Sequence, residues 1–237
     1  MTGVRIKQLS ALVIAAAATT AAAANANADA AADPVALGGG SGIVLGGHAM
    51  CSLTAVGTDG AGRLVGLTAG HCASAGTPVG AEEMPAAGAV GTVAASDGGA
   101  GLDYAVIEFD ASKVTPVRTV GGTTIAGVGD TPGPGITVCS NGRSSGFDCG
   151  VVWGTVAGRE VNQSCSQPGD SGGPVTIGDR LVGMNLGRLT SLGGIGFNVP
   201  CVVAAVPVHA PAYFQPIAPI LAEIDTAGGV GAGFRPI

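Results

Sequence analysis

Three residues in this chain have the types and neighbours that could support covalent chemistry. Ser171 lies in Cys165-Ser166-Gln167-Pro168-Gly169-Asp170-Ser171-Gly172-Gly173-Pro174, His71 in Thr68-Ala69-Gly70-His71-Cys72, and Asp103 in Asp103-Tyr104-Ala105-Val106. A serine hydroxyl is a poor nucleophile until a histidine removes its proton, and a carboxylate holds that histidine in the required tautomer. Gly169 can adopt a positive φ that strains other residues, so the backbone N–H groups of Gly169 and Ser171 can converge on one oxyanion. Asp103 precedes an apolar run, so burial is expected. A buried carboxylate needs a partner, and the imidazole N–H of His71 is the candidate. Taken singly, each residue has an ordinary explanation: a structural histidine, a turn-capping aspartate, a glycine loop. Together, in the order His, Asp, Ser, they point to acyl transfer.

The elements that must position these groups are short. From about Gly42 onward, β-branched runs alternate with glycine: 43–45, 63–68, 105–109, 136–138, 150–154, 174–177 and 181–184. Strands joined by turn chemistry at this spacing predict an antiparallel all-β sandwich or barrel. The 43 glycines and 14 prolines, with aromatics at only 3%, agree with many tight turns and few long helices. One helix is expected near the end, where Ile217, Ile220, Leu221 and Ile224 recur at helical spacing. The Gly/Thr/Pro-rich stretch 114–131 is the natural division between two halves.

Ten Lys+Arg against 16 Asp+Glu leave a formal charge of −6, which argues against nucleic acid or an anionic membrane as partner. Arg5 and Lys7 followed by an alanine-rich apolar stretch over residues 9–24, with Ala26 and Ala28 beyond, have the anatomy of a secretory signal peptide. That stretch is too short and too weakly hydrophobic for a membrane span of ~20 residues. In an oxidising compartment the six cysteines suggest disulfides, with 15 pairings open in principle. Nearest neighbours in sequence are favoured: Cys51 with Cys72, Cys139 with Cys149, Cys165 with Cys201. There is no Cys-x-x-Cys, so no metal site is expected, and no cofactor is called for.

Over residues 46–224 the chain resembles the chymotrypsin-like serine peptidases, and in particular their bacterial streptogrisin and α-lytic branch. Leu-Thr-Ala-Gly-His-Cys at 67–72 and Pro-Gly-Asp-Ser-Gly-Gly-Pro at 168–174 carry the family resemblance. The segment from Cys139 to Gly150, the spacing of Cys165 and Gly169, and Tyr213-Phe214-Gln215-Pro216 carry the branch. The resemblance implies an all-β fold of two perpendicular six-stranded antiparallel β-barrels with a C-terminal helix. It implies His71 as general base, Asp103 as its orienter, Ser171 as nucleophile, and the backbone of Gly169 and Ser171 as oxyanion hole. The expected organisation is a signal peptide over 1–28, a short N-terminal segment or propeptide over 29–45, a first barrel over 46–120, and a second barrel with the helix over 121–237. The implied product is a secreted, monomeric endopeptidase acting on a peptide or protein substrate.

Departures from the family pattern sharpen what to look for. Where the branch commonly has an arginine to neutralise the aspartate beside the nucleophile, this chain has Ser140, so Asp170 needs another partner. Arg143 and a newly freed amino terminus within 42–46 are the candidates. The substrate-pairing strand, often Ser-Gly-Gly in the family, corresponds to Leu186-Gly187-Arg188. Arg188 there could narrow the pocket, invite an acidic side chain, or point to solvent. Asn162, Gln163 and Ser164 before Cys165 include no carboxylate, so trypsin-like cleavage is not expected. Two other classes compete. Gly169-Asp170-Ser171-Gly172-Gly173 also satisfies Gly-x-Ser-x-Gly, with Asp179 and His209 following in α/β-hydrolase order. A non-catalytic secreted module that keeps the fold for binding is the other.

Overall fold

Most of the glycine-punctuated runs become strands arranged in two β systems. The computed structural model describes residues 1–3 and 33–237 apart from 193, 197, 203–205 and 207. The signal peptide expected over 1–28 therefore lies outside the described residues except for the first three. All of the architecture below belongs to the unit Ala32–Ile237.

The first half contributes seven main strands: β1 (Gly42–Leu45), β2 (Ala49–Ser52), β3 (Ala55–Thr58), β4 (Leu64–Ala69), β5 (Pro78–Ala81), β6 (Ala89–Ser96) and β7 (Tyr104–Phe109). The terminal strand Arg235–Pro236 joins them in one eight-stranded sheet, in the order Arg235–Pro236, β3, β4, β7, β6, β5, β1, β2. The second half contributes β8 (Thr137–Gly142), β9 (Gly146–Val156), β10 (Arg159–Asn162), β11 (Pro174–Ile177), β12 (Arg180–Arg188) and β13 (Ala212–Pro216), followed by helix α1 (Ile217–Ala227). These six strands close on themselves through the β12–β13 pairing, and Gly127–Val128 adds to the outside of β12. Within the segment expected over 29–45, the described residues 33–45 supply two strands: Val35–Leu37 pairs in parallel with Val114–Pro116, and β1 lies between β2 and β5.

Of the two barrels that the resemblance implies, only the second half is a closed six-stranded barrel; the first is an open sheet. A physical reason is visible at the β2–β3 corner. There the groups that would knit the two edges together bond elsewhere: Ser52 N–H donates to the Ser171 carbonyl at 2.8 Å, Leu53 N–H to Ser41 at 2.9 Å, and Thr54 Oγ1 to the Gly172 carbonyl at 2.6 Å. The gap in the first sheet is where the nucleophile turn docks.

Strands β4 and β7 are buried on both faces. Ala105, Ile107 and Phe109 enter a core with Ile43, Leu53 and Val79, while Tyr104 and Val106 join Val65, Leu67 and Ala69 on the opposite side. That second core includes Leu181, Met184 and Leu186 of β12 and Ile217, Ile220 and Ile224 of α1, so it welds the halves together. A third cluster, Val138, Val152, Val175, Val182 and Phe214, fills the closed barrel. The helix forms where its spacing predicts, buries Ile217, Ile220 and Ile224, and ends at Gly228 in the left-handed conformation. None of the helices among the described residues is long and apolar enough to cross a membrane.

Candidate active site

Because β4 and β7 are antiparallel with Ala69 opposite Tyr104, His71, two residues beyond the end of β4, and Asp103, just before β7, emerge at the same end of the strand pair. His71 sits in the single turn Gly70–Cys72, and a disulfide ties Cys72 to Cys51 of β2. The His71 ring Nδ1 lies 2.9 Å from Asp103 Oδ2 and 3.0 Å from Oδ1, and the His71 backbone N–H donates to Oδ1 at 2.8 Å. The side chain of His71 remains 39% exposed and that of Asp103 only 7%, so the pair has one open side. Burial pushes the Asp103 carboxyl up, but the His71 hydrogen bonds and the charges of His71 and Arg159 outweigh it and hold the group below the usual carboxylate range.

Asp103 has φ +64°, a left-handed conformation that a non-glycine residue adopts only when its surroundings impose it. The residue that imposes it here is Asp97, which sequence reasoning missed. Its carboxylate accepts the N–H groups of Asp103 at 2.7 Å, Gly99 at 2.9 Å and Tyr104 at 3.2 Å, fixing the loop 97–104. Gly70 lies directly against this cluster: a Cβ there would come within 2.3 Å of Asp97 Oδ1 and 2.8 Å of the Tyr104 carbonyl. The signal that could have found Asp97 is Asp-Gly-Gly at 97–99, a turn sequence placed just before the candidate carboxylate.

Ser171 is held from the other half. Gly169 has φ +101° and Gly172 φ +85°, and the turn is closed by Asp170 N–H to the Gln167 carbonyl at 3.0 Å and Gly173 N–H to the Asp170 carbonyl at 2.9 Å. The N–H groups of Gly169 and Ser171 have no acceptor among the described residues, whereas those of Asp170, Gly172 and Gly173 between and after them are all bonded. The turn touches the first sheet through Gly172, where a Cβ would lie 2.9 Å from the Ala69 nitrogen, and through Ser52 Oγ, which donates to the Gly169 carbonyl at 2.9 Å. The Ser171 hydroxyl itself points to the Leu186 carbonyl at 3.4 Å and forms no hydrogen bond with His71.

Asp170 is buried, and its carboxylate is satisfied by backbone alone: the N–H groups of Gln167 at 2.7 Å, Ser144 at 2.8 Å and Ser145 at 3.0 Å. Arg143 does not bond it: its guanidinium bridges to Glu82 of the first half instead. In the intact chain Gly42–Leu45 is an interior strand. Arg143 still braces the turn, since a Cβ on Gly169 would meet its Nη1 at 2.7 Å. All three expected disulfides are present, Cys139–Cys149 and Cys165–Cys201 alongside Cys51–Cys72.

Strand β12 carries the remaining expected residues. Leu186 is buried in the interlobe core; Gly187, φ +147°, follows a register shift against β13, a bulge that re-aims what comes next. Arg188 is half-buried and lines a cavity of about 270 Å³ with Arg159 and Tyr213. The α/β-hydrolase alternative fails on geometry. Asp179 sits in an exposed turn beside Arg180, at the opposite end of β12 from Leu186, and the ring of His209 bonds the carbonyl of its neighbour Ala210 at 2.9 Å.

Comparison with known proteins agrees with the fold. No protein-family model matches the chain. Streptogrisin-C of Streptomyces griseus is 29% identical over 181 residues, a match covering 68% of this chain and 35% of the relative, so the chain spans about a third of that protein. Among solved structures, Nocardiopsis protease superposes with a TM-score of 0.64 at 25% identity, covering 80% of this chain and 96% of that one. Thermobifida fusca protease A superposes with a TM-score of 0.61 at 27% identity, with the same coverage of 80% and 96%.

Proposed function

We infer that this chain, a relative of the bacterial chymotrypsin-like serine proteases in sequence and fold, is a secreted serine endopeptidase that works through His71, Asp103 and Ser171. One observation carries the inference: a His71–Asp103 pair with an open side adjoins a turn that presents a serine and two unbonded N–H groups.

In the proposed reaction, rotation about the Cα–Cβ bond of Ser171 redirects its hydroxyl from Leu186 toward His71. The oxygen attacks the scissile carbonyl carbon while His71 Nε2 takes the proton, and the N–H groups of Gly169 and Ser171 receive the developing oxyanion. Asp103, bonded to Nδ1–H, keeps Nε2 free as acceptor and stabilises the imidazolium. His71 then hands the proton to the leaving amine nitrogen, the C–N bond breaks, and an acyl-enzyme remains. Water attacks that ester with His71 again as base, releasing the acid and restoring the serine. Removal of the leader over 1–28 and export to an oxidising compartment accompany this reading, and the three disulfides fit such a compartment.

A non-catalytic binding module is the second reading, favoured by the Ser171 hydroxyl facing Leu186. A fluorophosphonate probe separates the two. The endopeptidase becomes labelled at Ser171 and cleaves a mixed peptide library, and Ser171→Ala lowers kcat by roughly 10⁴-fold or more. A folded, processed protein that stays unlabelled and leaves every peptide intact would establish the binding module instead.

A further inference from the structure

Two arginines in this acidic chain line one cavity beside β12, and among the described residues neither is neutralised by a carboxylate. Arg159 opens β10 and Arg188 ends β12, and both are half-buried. Together with Tyr213, Val156, Val161 and Ser191 they line a space of about 270 Å³. The guanidinium of Arg159 rests over the Tyr213 ring, 5.5 Å from its centre, which fixes its plane. Among the described residues neither guanidinium joins a salt bridge, although the chain carries 16 carboxylate side chains against 10 Lys and Arg. Glu160, the nearest acid in sequence, turns away: it is buried and takes its hydrogen bond from Thr155 at 2.9 Å.

The cavity lies close to the candidate site along β12. Leu186, whose carbonyl receives the Ser171 hydroxyl, lies two residues before Arg188 on the same strand, a separation of about 7 Å. The bulge between Asn185 and Gly187 redirects the end of that strand, and Gly187 adds no side chain to fill the approach. The positive charge of Arg159 also reaches Asp103. A peptide lying along β12 with its carbonyl at Ser171 would pass the cavity mouth with a residue preceding the scissile bond. Half-buried guanidinium forks held by packing match a carboxylate in shape and charge, and an amide of the same size cannot replace it.

We propose that Arg159 and Arg188 form a carboxylate-binding subsite, so that this chain selects peptides with glutamate or aspartate on the acyl side of the bond it cleaves. The proposal rests on the endopeptidase reading above for its catalytic consequence, and on the cavity alone for binding.

The test has a turnover arm and a binding arm. In the first, fluorogenic peptides differing only by Glu or Gln at each of the three positions before the scissile bond are compared by kcat/KM. At one position glutamate is favoured by roughly 10- to 100-fold; in R159Q/R188Q the ratio falls to within about twofold of unity, and in R188E glutamine becomes the better of the two. In the second arm, S171A is titrated with the same peptides, and the Glu peptide binds more tightly than the Gln peptide by a similar factor that the arginine substitutions abolish. Turnover without Glu/Gln discrimination at any position overturns the subsite and leaves the peptidase. Selective binding without turnover in the parent protein overturns the peptidase and leaves the subsite. Equal binding of both peptides to S171A overturns the subsite outright.

Discussion

Asp97 touches no substrate in the proposed reaction, yet its replacement should slow catalysis, and the size of the effect can be worked from its three hydrogen bonds. They run from the N–H groups of Asp103 at 2.7 Å, Gly99 at 2.9 Å and Tyr104 at 3.2 Å. Bonds to a charged acceptor contribute about 1.5–3 kcal/mol each when buried. Asp97 is half-buried, so water can replace part of that, and about 1 kcal/mol per bond is the fairer figure. Asp97→Ala then costs about 3 kcal/mol, and Tm falls by roughly 6–12 °C for a domain of this size.

Asp97→Asn discriminates better. Its one carbonyl oxygen can still accept from Gly99 and Tyr104, but its NH₂ faces the Asp103 N–H donor to donor. The bond lost is the one that holds Asp103 at φ +64°, a conformation costing roughly 1–2 kcal/mol. Relaxation of that residue moves its carboxylate from His71, and kcat falls by roughly 5- to 30-fold at nearly constant KM. Steady-state kinetics on a peptide nitroanilide, paired with scanning calorimetry, reads both quantities. If Asp97→Asn keeps parental kcat while melting several degrees lower, Asp97 is a loop staple with no influence on the site, and the positioning argument is refuted.

Two further outcomes follow from the same geometry. Gly70→Ala should lower both Tm and kcat, by about 1–3 kcal/mol in stability, because its Cβ would collide with Asp97 Oδ1 and the Tyr104 carbonyl; a variant with parental melting and kinetics would show that the loop yields freely. Asp59 ties the C-terminal segment to the β3–β4 turn. Burial raises its pKa, but the N–H groups of Gly231, Arg63 and Ala61 and the Arg63 side chain bring it down to about 2 from 3.8. A depressed carboxylate stabilises the fold above its unfolded pKa and loses that contribution as pH falls through the folded value. In urea titrations the parent should therefore exceed Asp59→Asn by up to about 2 kcal/mol at pH 7, with the difference shrinking toward zero near pH 2. An unchanging gap across that range would show that the carboxylate stays charged or contributes only by shape.

Much of this molecule could be read along the chain because the relevant signals are local. Alternation of β-branched residues and glycine marks strands such as Pro174–Ile177, and the spacing of Ile217, Ile220 and Ile224 marks the helix. The disulfides follow nearest-neighbour order, most directly at Cys139–Cys149, where the two residues face each other across a hairpin only 10 residues apart. The flanks of His71, Asp103 and Ser171 are equally local, since each needs a particular turn immediately beside it.

What stayed hidden depends on groups distant in sequence. No local feature reveals that Ser52 and Thr54 would bond the nucleophile turn and leave the first sheet open, because those partners come from the other half of the chain. Asp170 looked in need of a cation, but three N–H groups converging from two loops serve it, and Arg143 was already engaged across the halves by Glu82. Arg159 and Arg188 line one cavity only because β13 lies between β10 and β12 in the closed barrel. Residue types and their immediate neighbours determined which chemistry was available, since turns and nucleophiles are specified within a few positions. Where charges end up paired, and which cavity they line, was decided by tertiary packing, because those energies depend on distance in space.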